Sequence, residues 1–424
     1  QGDRTPNELT SYVSDNLRGD PGTTCVLKLE RPTADSTYIP MELKITRGTI
    51  RTNPVPYYGM VDKNIGYIAI STFAIEGCSK DIKKALIELK QQGATSIVLD
   101  LRGNGGGLLS EAVNVVNFFV PKGKEIVVTK GKIKQAGSTY KTSNEPIDME
   151  IPLTVLVDGA TASAAEIVSG SLQDLDRAVI VGNRTYGKGL VQVPRELPYN
   201  SSMKVTTAKY YIPSGRCIQA IDYAKRNADG SVARIPDSLT TVFHTAAGRE
   251  ARDGGGIRPD VEVKAERFPN IMFYLLNDDM IFDYATQYCI KHPNIGEVKD
   301  FSVTDADYDD FKQMLKKRNF TYDRQSEKSL KNLKEIAEFE GYMEGASEEF
   351  AALEKKLTHN LDHELNRFSK QIRKAIAEEI VKRHYFQRGV ILERMKDDAD
   401  LTKAIETLKD KEGYTKILSV PADK

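Results

Sequence analysis

Between about residues 54 and 212, short apolar runs alternate with stretches whose apolar residues recur every three to four positions. Ile65 to Ile70, Thr95 to Leu101, Leu153 to Val157 and Val179 to Val181 read as buried strands, too short and too continuous for an amphipathic helix. Ile82, Leu86 and Leu89 give one helix its apolar face; Leu109, Val113, Val116 and Val120 give the next, and Ala164 to Leu172 form a third helix. Strand, helix, strand in this rhythm predicts a mainly parallel sheet with helices on its faces, an α/β core. Sites in such sheets lie beyond the carboxyl ends of the strands.

The flanks follow other patterns. Near the start, Pro6, Leu9, Val13 and Leu17 mark a helix, Gly19-Asp20-Pro21-Gly22 a turn, and Cys25 to Arg31 an alternating strand, which together make about half of a small β-rich module. Gln1-Gly2-Asp3 reads as a turn after a strand that the chain lacks, so the other half is expected upstream of residue 1. After the strand Met203 to Ile212, a polar, glycine-containing stretch over 213–258 reads as a hairpin or flap. Beyond Pro259 the chain turns charged and helical. Phe350, Leu353, Leu357, Leu361, Leu365, Phe368, Ile372, Ile376 and Ile380 keep helical spacing, which predicts one long amphipathic helix in a separate helical domain and an α+β molecule overall.

Composition narrows the function classes. Lys+Arg and Asp+Glu number 60 each, so no global field draws the chain to nucleic acid or an anionic membrane. No apolar run approaches the roughly 18 residues of a membrane span. Cys25, Cys78, Cys217 and Cys289 are far apart and form no CxxC, which points away from a zinc knuckle or a disulfide framework. His359 and His363 have metal-compatible i,i+4 spacing but lie off the apolar stripe, without a cysteine or a HExxH glutamate; they read as a solvated face. No metal or other cofactor is called for.

Chemistry concentrates just past three of the strands. Gly103-Asn104-Gly105-Gly106-Gly107 follows Ile97-Val98-Leu99, Ser163 follows Val155-Leu156-Val157, and Lys188, with Gln192 four residues on, follows Val179-Ile180-Val181. A nucleophile, a base and a glycine-lined oxyanion hole converge if the three segments share one sheet edge. Two lookalikes fall away. Gly182 to Gly189 matches a phosphate-binding loop except that Gly189 replaces the magnesium-binding Ser or Thr, and the following residues look extended rather than helical. Gly103-x-Gly105-x-x-Leu108 lacks the third glycine of a dinucleotide fingerprint.

Taken alone, Ser163 is a helix N-cap and Lys188 a surface lysine. Their surroundings change this reading. Ala160, Ala162, Ala164 and Ala165 leave the hydroxyl uncrowded at a helix N-terminus, and glycines flank Lys188 on both sides, freeing its backbone to turn tightly. The chain has five histidines, of which only His244 falls in or near the core, in its polar flap. A Ser-Lys dyad is therefore the natural alternative to a Ser-His-Asp triad, because burial favours the neutral, proton-accepting form of a lysine.

At these residues the chain resembles the carboxy-terminal processing peptidases, or tail-specific proteases, which are serine peptidases with a Ser/Lys dyad. The resemblance covers roughly residues 1 to 262. It rests on Leu17-Arg18-Gly19 with Pro21-Gly22-Thr23, on Val98 to Arg102 with Asn104 and the glycines, on Thr161 to Ile167, and on Thr185 to Gly189 with Val191 and Gln192. It implies Ser163 as nucleophile, Lys188 as general base, Gln192 as the residue orienting the lysine, and the backbone N–H groups of Gly107 and Ala164 as the oxyanion hole. Ala165 stands where the family often has Ser, and Gly105 where other members have Pro; neither is the nucleophile. Residues 1–48 would be the C-terminal part of a PDZ domain, without its carboxylate-binding loop. Residues 49–264 would be the peptidase core, and 265–424 a helical domain of unassigned role. The resemblance implies protein or peptide substrates chosen by their C-termini and a bacterial enzyme of the periplasm or envelope, with no cofactor. A homo-oligomer or a regulatory partner stays open. The alternative reading is a non-catalytic peptide-binding scaffold with a vestigial core.

Overall fold

The computed structural model describes residues 6–33, 37–132, 137–199, 201–226, 232–264, 266, 268–357 and 360–419. They fall into two compact units, one within Arg51–Ala265 and Asp398–Lys424, the other within Gln1–Ile50 and Glu266–Asp397. At the N-terminal end, α1 (Pro6–Leu17) precedes an antiparallel hairpin of β1 (Thr24–Pro32) and β2 (Tyr38–Thr46), so the alternating strand read from the sequence has a partner. The Arg47 guanidinium ties hairpin to helix by donating to the carbonyls of Leu17 and Asn16, each at 2.8 Å.

The larger unit is built on a six-stranded sheet. Its elements are β3 (Tyr57–Asp62), β4 (Ile65–Ala69), α2 (Cys78–Gln91), β5 (Ser96–Asp100), α3 (Leu109–Asn117), β6 (Glu125–Gly131), β7 (Ser138–Lys141), β8 (Leu153–Val157), α4 (Ala164–Asp174) and β9 (Val179–Gly182). β10 (Leu190–Leu197) and β11 (Ser201–Tyr211) follow, then the hairpins β12 (Ile221–Arg226) with β13 (Val232–Arg234) and β14 (Val242–His244) with β15 (Glu250–Arg252), and last β16 (Val261–Glu262). The strand order is β16-β9-β8-β5-β4-β3, parallel except for β3 at the edge. This is the mainly parallel α/β sheet that the apolar runs predict. β10-β11-β6-β7 form a second, antiparallel sheet; β6, mixed in polarity, and β7, four largely polar residues, give no comparable signal in the sequence.

One face of the main sheet is covered by α2, α3 and α4, whose Ile82, Leu86, Val116, Ile167 and Leu172 join Ile68, Leu99, Val155 and Ile180 in a single core. Strand side chains alternate between faces, so the buried Tyr67, Val98 and Leu156 point the other way. That second face is covered from far along the chain. The helix α12 (Ala399–Lys409), burying Leu401, Ala404 and Leu408, packs on β5, β8 and β9, and α13 (Lys411–Ile417) follows it. The Tyr414 hydroxyl accepts from the Leu153 N–H at 2.9 Å and donates to its carbonyl at 3.1 Å. These two helices, read from the sequence as the end of the helical region 265–424, thus pack with the α/β sheet.

The other helices have their own core. Here α5 (Asn270–Asn277), α6 (Met280–Lys291), α7 (Asp305–Lys317), α10 (Leu361–Arg367) and α11 (Ser369–Met395) surround Leu275, Tyr284, Phe311, Leu315, Leu365, Ile372, Ile376 and Ile380, while α8 (Gln325–Phe339) packs with α9 (Met343–Leu357). The single long helix expected over 350–380 is three helices. Asn360 caps α10 by accepting from the His363 N–H at 2.9 Å, and Phe368 leaves helical geometry at φ −104°, ψ 19°. Both breaks preserve the apolar spacing, which is why periodicity alone joins the pieces. His363 is exposed and His359 lies outside the described residues, among which no cluster of three or more metal-ligating side chains occurs.

Candidate active site

The loops after β5, β8 and β9 meet at the carboxyl edge of the sheet, and a web of main-chain contacts fixes how they meet. Asn104, fully buried, donates through its amide to the Ile70 carbonyl at 2.8 Å, accepts the Gly106 N–H at 2.9 Å, and offers its own carbonyl to the Ala162 N–H at 2.9 Å. One residue, through its side chain and its main chain, therefore joins the ends of three chain segments. Gly106, at φ 95°, lies back to back with the serine turn, where a Cβ would come within 2.7 Å of the Ala162 carbonyl and the Ser163 Cβ. Gly107 has no room either, because a Cβ there would sit 2.1 Å from the main chain of Phe73 and Ala74. Glycine is required at both by close approach of other backbone.

Ser163 occupies the N-cap position of α4, as its sequence context suggests, but in an unusual conformation. Its φ of 58° and ψ of −119° lie outside the regions L-residues favour, a strain on the order of 1–3 kcal/mol that the surrounding contacts hold in place. The Glu166 N–H bonds the Ser163 carbonyl at 2.9 Å, and the serine stands at a sharp strand-to-helix turn, the geometry that exposes a nucleophile. The N–H groups of Gly107 and Ala164 make no hydrogen bond among the described residues. Ala164 begins α4, where the helix dipole favours negative charge.

Two buried side chains, neither singled out by the sequence, hold Ser163 to Lys188. The Glu166 carboxylate accepts from the N–H groups of Ser163 and Lys188, both at 2.9 Å, from Gly187 at 2.7 Å and from the Thr185 hydroxyl at 2.5 Å. On the other side the Tyr210 hydroxyl donates to the Lys188 carbonyl and lies 3.3 Å from the Ser163 carbonyl. Nitrogens on one side and oxygens on the other are thus gripped at the same pair of residues. Burial, outweighing these donors, pushes Glu166 up to about 7. Burial first, and then the charge of Glu166, push the Tyr210 phenol well above its usual range, which keeps it a donor. Glu166 was visible only as a residue at the third position of a helix; the lysine loop it also serves lies 22 residues on. Tyr210 carried no signal.

Gln192 enters at an irregularity. The register of β10 against β11 slips between Val191 and Gln192, and such bulges re-aim side chains beside sites. The Gln192 amide lies 3.5 Å from the Thr206 hydroxyl. All five residues named from the sequence, Ser163, Lys188, Gln192, Gly107 and Ala164, line one cavity of about 400 Å³, with apolar walls from Ala74, Leu109, Ile167, Leu190 and Val191. A neighbouring space of about 590 Å³ shares Lys188, Leu190 and Gln192 and extends past Tyr186 and Tyr223. His244, exposed on the β14–β15 hairpin, lines neither.

A strained serine at a helix N-terminus, a lysine and two main-chain N–H groups without partners among the described residues thus line one cavity. Residues 64–225 match the model of peptidase family S41, and residues 271–408 match a model described as the C-terminal helical domain of a probable PDZ-protease. Residues 64–225 are thus similar to peptidase family S41, and the curated proteins matched are carboxy-terminal processing proteases. It is 37% identical over 226 residues to the carboxy-terminal-processing protease of Bartonella bacilliformis, covering 52% of this chain and 50% of that protein. It is 40% identical over 200 residues to the carboxyl-terminal-processing protease of a Picosynechococcus species, covering 46% of each. A solved structure of a photosystem II D1 C-terminal processing protease shares 30% identity, covering 62% of this chain and 61% of that one, with a TM-score of 0.39. The chain spans about half the length of the curated relatives it matches.

Proposed function

We propose that the chain is a serine endopeptidase working through a Ser163/Lys188 dyad. Ser163 Oγ attacks the carbonyl carbon of a peptide bond while its proton passes to the neutral amine of Lys188. The oxyanion settles between the N–H groups of Gly107 and Ala164, and Lys188 returns the proton to the leaving amine. Water, activated by the same lysine, then hydrolyses the acyl-enzyme. Gln192 orients the lysine. The observation that carries this reading is the single cavity shared by a strained serine, a lysine and two N–H groups without partners. Its apolar walls fit a small or medium apolar side chain beside the scissile bond.

Substrates are proteins presented by their C-termini, a selection assigned to a PDZ domain, and the enzyme acts in the periplasm or envelope of a bacterium. Among the described residues no helix is long and apolar enough to cross a membrane. The deciding experiment is labelling with an acylating probe followed by peptide mapping. Label is expected on Ser163 in the wild type and absent from Ser163→Ala. Proteolysis of an unfolded protein is expected to vanish in Ser163→Ala, Lys188→Ala and Lys188→Arg, with the double alanine variant little worse than either single one. His244→Ala is expected to retain full turnover. No label at Ser163, or near wild-type turnover in a Ser163 or Lys188 variant, would leave the scaffold reading standing.

A further inference from the structure

The loop that carries Gly107 is tied to a helix almost three hundred residues away. Asp100 ends β5, and its carboxylate accepts the Tyr67 hydroxyl at 2.6 Å, the Arg102 N–H at 2.9 Å and the Arg102 side chain at 2.6 Å. The other edge of the same guanidinium meets the start of α12. It donates to the two Asp398 oxygens at 2.9 and 2.7 Å and to Asp400 at 3.1 Å. Asp398 also accepts the Leu401 N–H at 3.0 Å, so one carboxylate both caps α12 and holds Arg102. The side chains of Asp100, Asp398 and Arg102 are only 9, 10 and 21% exposed. Arg102 is the residue immediately before the turn Gly103 to Gly107, and the Gly103 N–H is itself held by Asp158 at 3.0 Å.

We propose that Asp398, with Asp400 in a lesser part, is a positioning residue of the peptidase site: through Arg102 it sets the turn that presents the Gly107 N–H. The inference rests on the peptidase reading given above. The two aspartates are not equivalent. Asp398 makes a two-point contact in line with the helix N-terminus, whereas Asp400 makes one longer bond and is held above the usual carboxylate range, chiefly by burial. Take Asp398 away and a nearly enclosed guanidinium keeps Asp100 and the single longer bond to Asp400, and loses its two-point partner. The turn next to it then loses a fixed end. A small displacement of an oxyanion donor slows the chemical step, because the donor must meet charge that develops only in the transition state.

Asp398→Asn tests this in the full chain, since asparagine still caps a helix while the ion pair is lost. The expected result is a fall in kcat of about 10- to 100-fold with KM within about twofold, a smaller fall for Asp400→Asn, and slower acylation of Ser163. Tyr414→Phe serves as the control, loosening the same packing at Leu153 without touching Arg102. It is expected to keep kcat within about twofold at a comparable loss of Tm. Hydrogen exchange at the Gly103 to Gly107 amides reads the link without any turnover and is expected to quicken in Asp398→Asn but not in Tyr414→Phe. Unchanged exchange in Asp398→Asn, or a kcat loss equalled by Tyr414→Phe, overturns the proposal. A wild type that takes no label at Ser163 overturns the peptidase reading instead, and the exchange comparison still decides whether Asp398 holds the turn.

Discussion

Glu166 uses both of its carboxylate oxygens fully, two donors to each: Thr185 and Gly187 on one, Ser163 and Lys188 on the other. A carboxamide of the same shape must turn an NH₂ toward one of those pairs. Glu166→Gln is therefore expected to lower kcat by about 100-fold, with the serine and lysine loops no longer held in mutual register. The pH dependence carries the sign of burial. Between its ordinary 4.5 and the raised value of about 7, the folded chain keeps a proton that the unfolded chain has released. Stability from this group is thus fully present below about 4.5 and is lost as pH climbs through about 7. Melting temperature is expected to fall across that window in the wild type relative to Glu166→Gln, while kcat rises as the ionised form gathers its donors. Parallel melting curves in the two proteins across that range would refute the role given to Glu166.

The glycine turn shows how tightly neighbouring elements meet. Gly106→Ala puts a methyl against the Ala162 carbonyl, the Ser163 Cβ and the Ala164 nitrogen at a positive φ, and is expected to cost roughly 1–3 kcal/mol and to abolish labelling of Ser163. Gly105→Ala, where nothing lies within 4 Å of the added atom, is expected to change stability by less than about 0.5 kcal/mol. Equal denaturation midpoints for the two variants would remove the steric argument. Much at this level was legible beforehand. Strands β5, β8 and β9 are buried on both faces and so read as unbroken apolar runs, and the motifs just beyond them converge because parallel strands end on one edge. The antiparallel β6 and β7 were hidden by their mixed polarity, and the bulge at Gln192 by having no local composition cue. The roles of Glu166 and Tyr210 were hidden for another reason. Each is set by partners brought together only by the fold, and a buried glutamate reads in sequence like any other.

Two cores that share no residue lie in the two units. Phe311→Ala, which empties a fully buried ring position among the helices, is expected to cost about 3–5 kcal/mol in the unfolding of that unit and to leave the labelling of Ser163 intact. A matching loss of label would mean that the two cores melt as one. Sequence periodicity foretold an apolar face on α12 no better than on any other helix, because amphipathicity says that a helix is covered and not by what. What covers it is the back of a sheet begun some three hundred residues earlier, and this has a bearing on timing. During synthesis Arg102 emerges 296 residues before Asp398. At about 5–20 residues per second that is an interval of roughly 15 to 60 seconds. Until α12 follows, Val98 and Leu156 face no helix and the guanidinium lacks its distant partner, so a nascent chain carries a half-clad sheet for most of that interval.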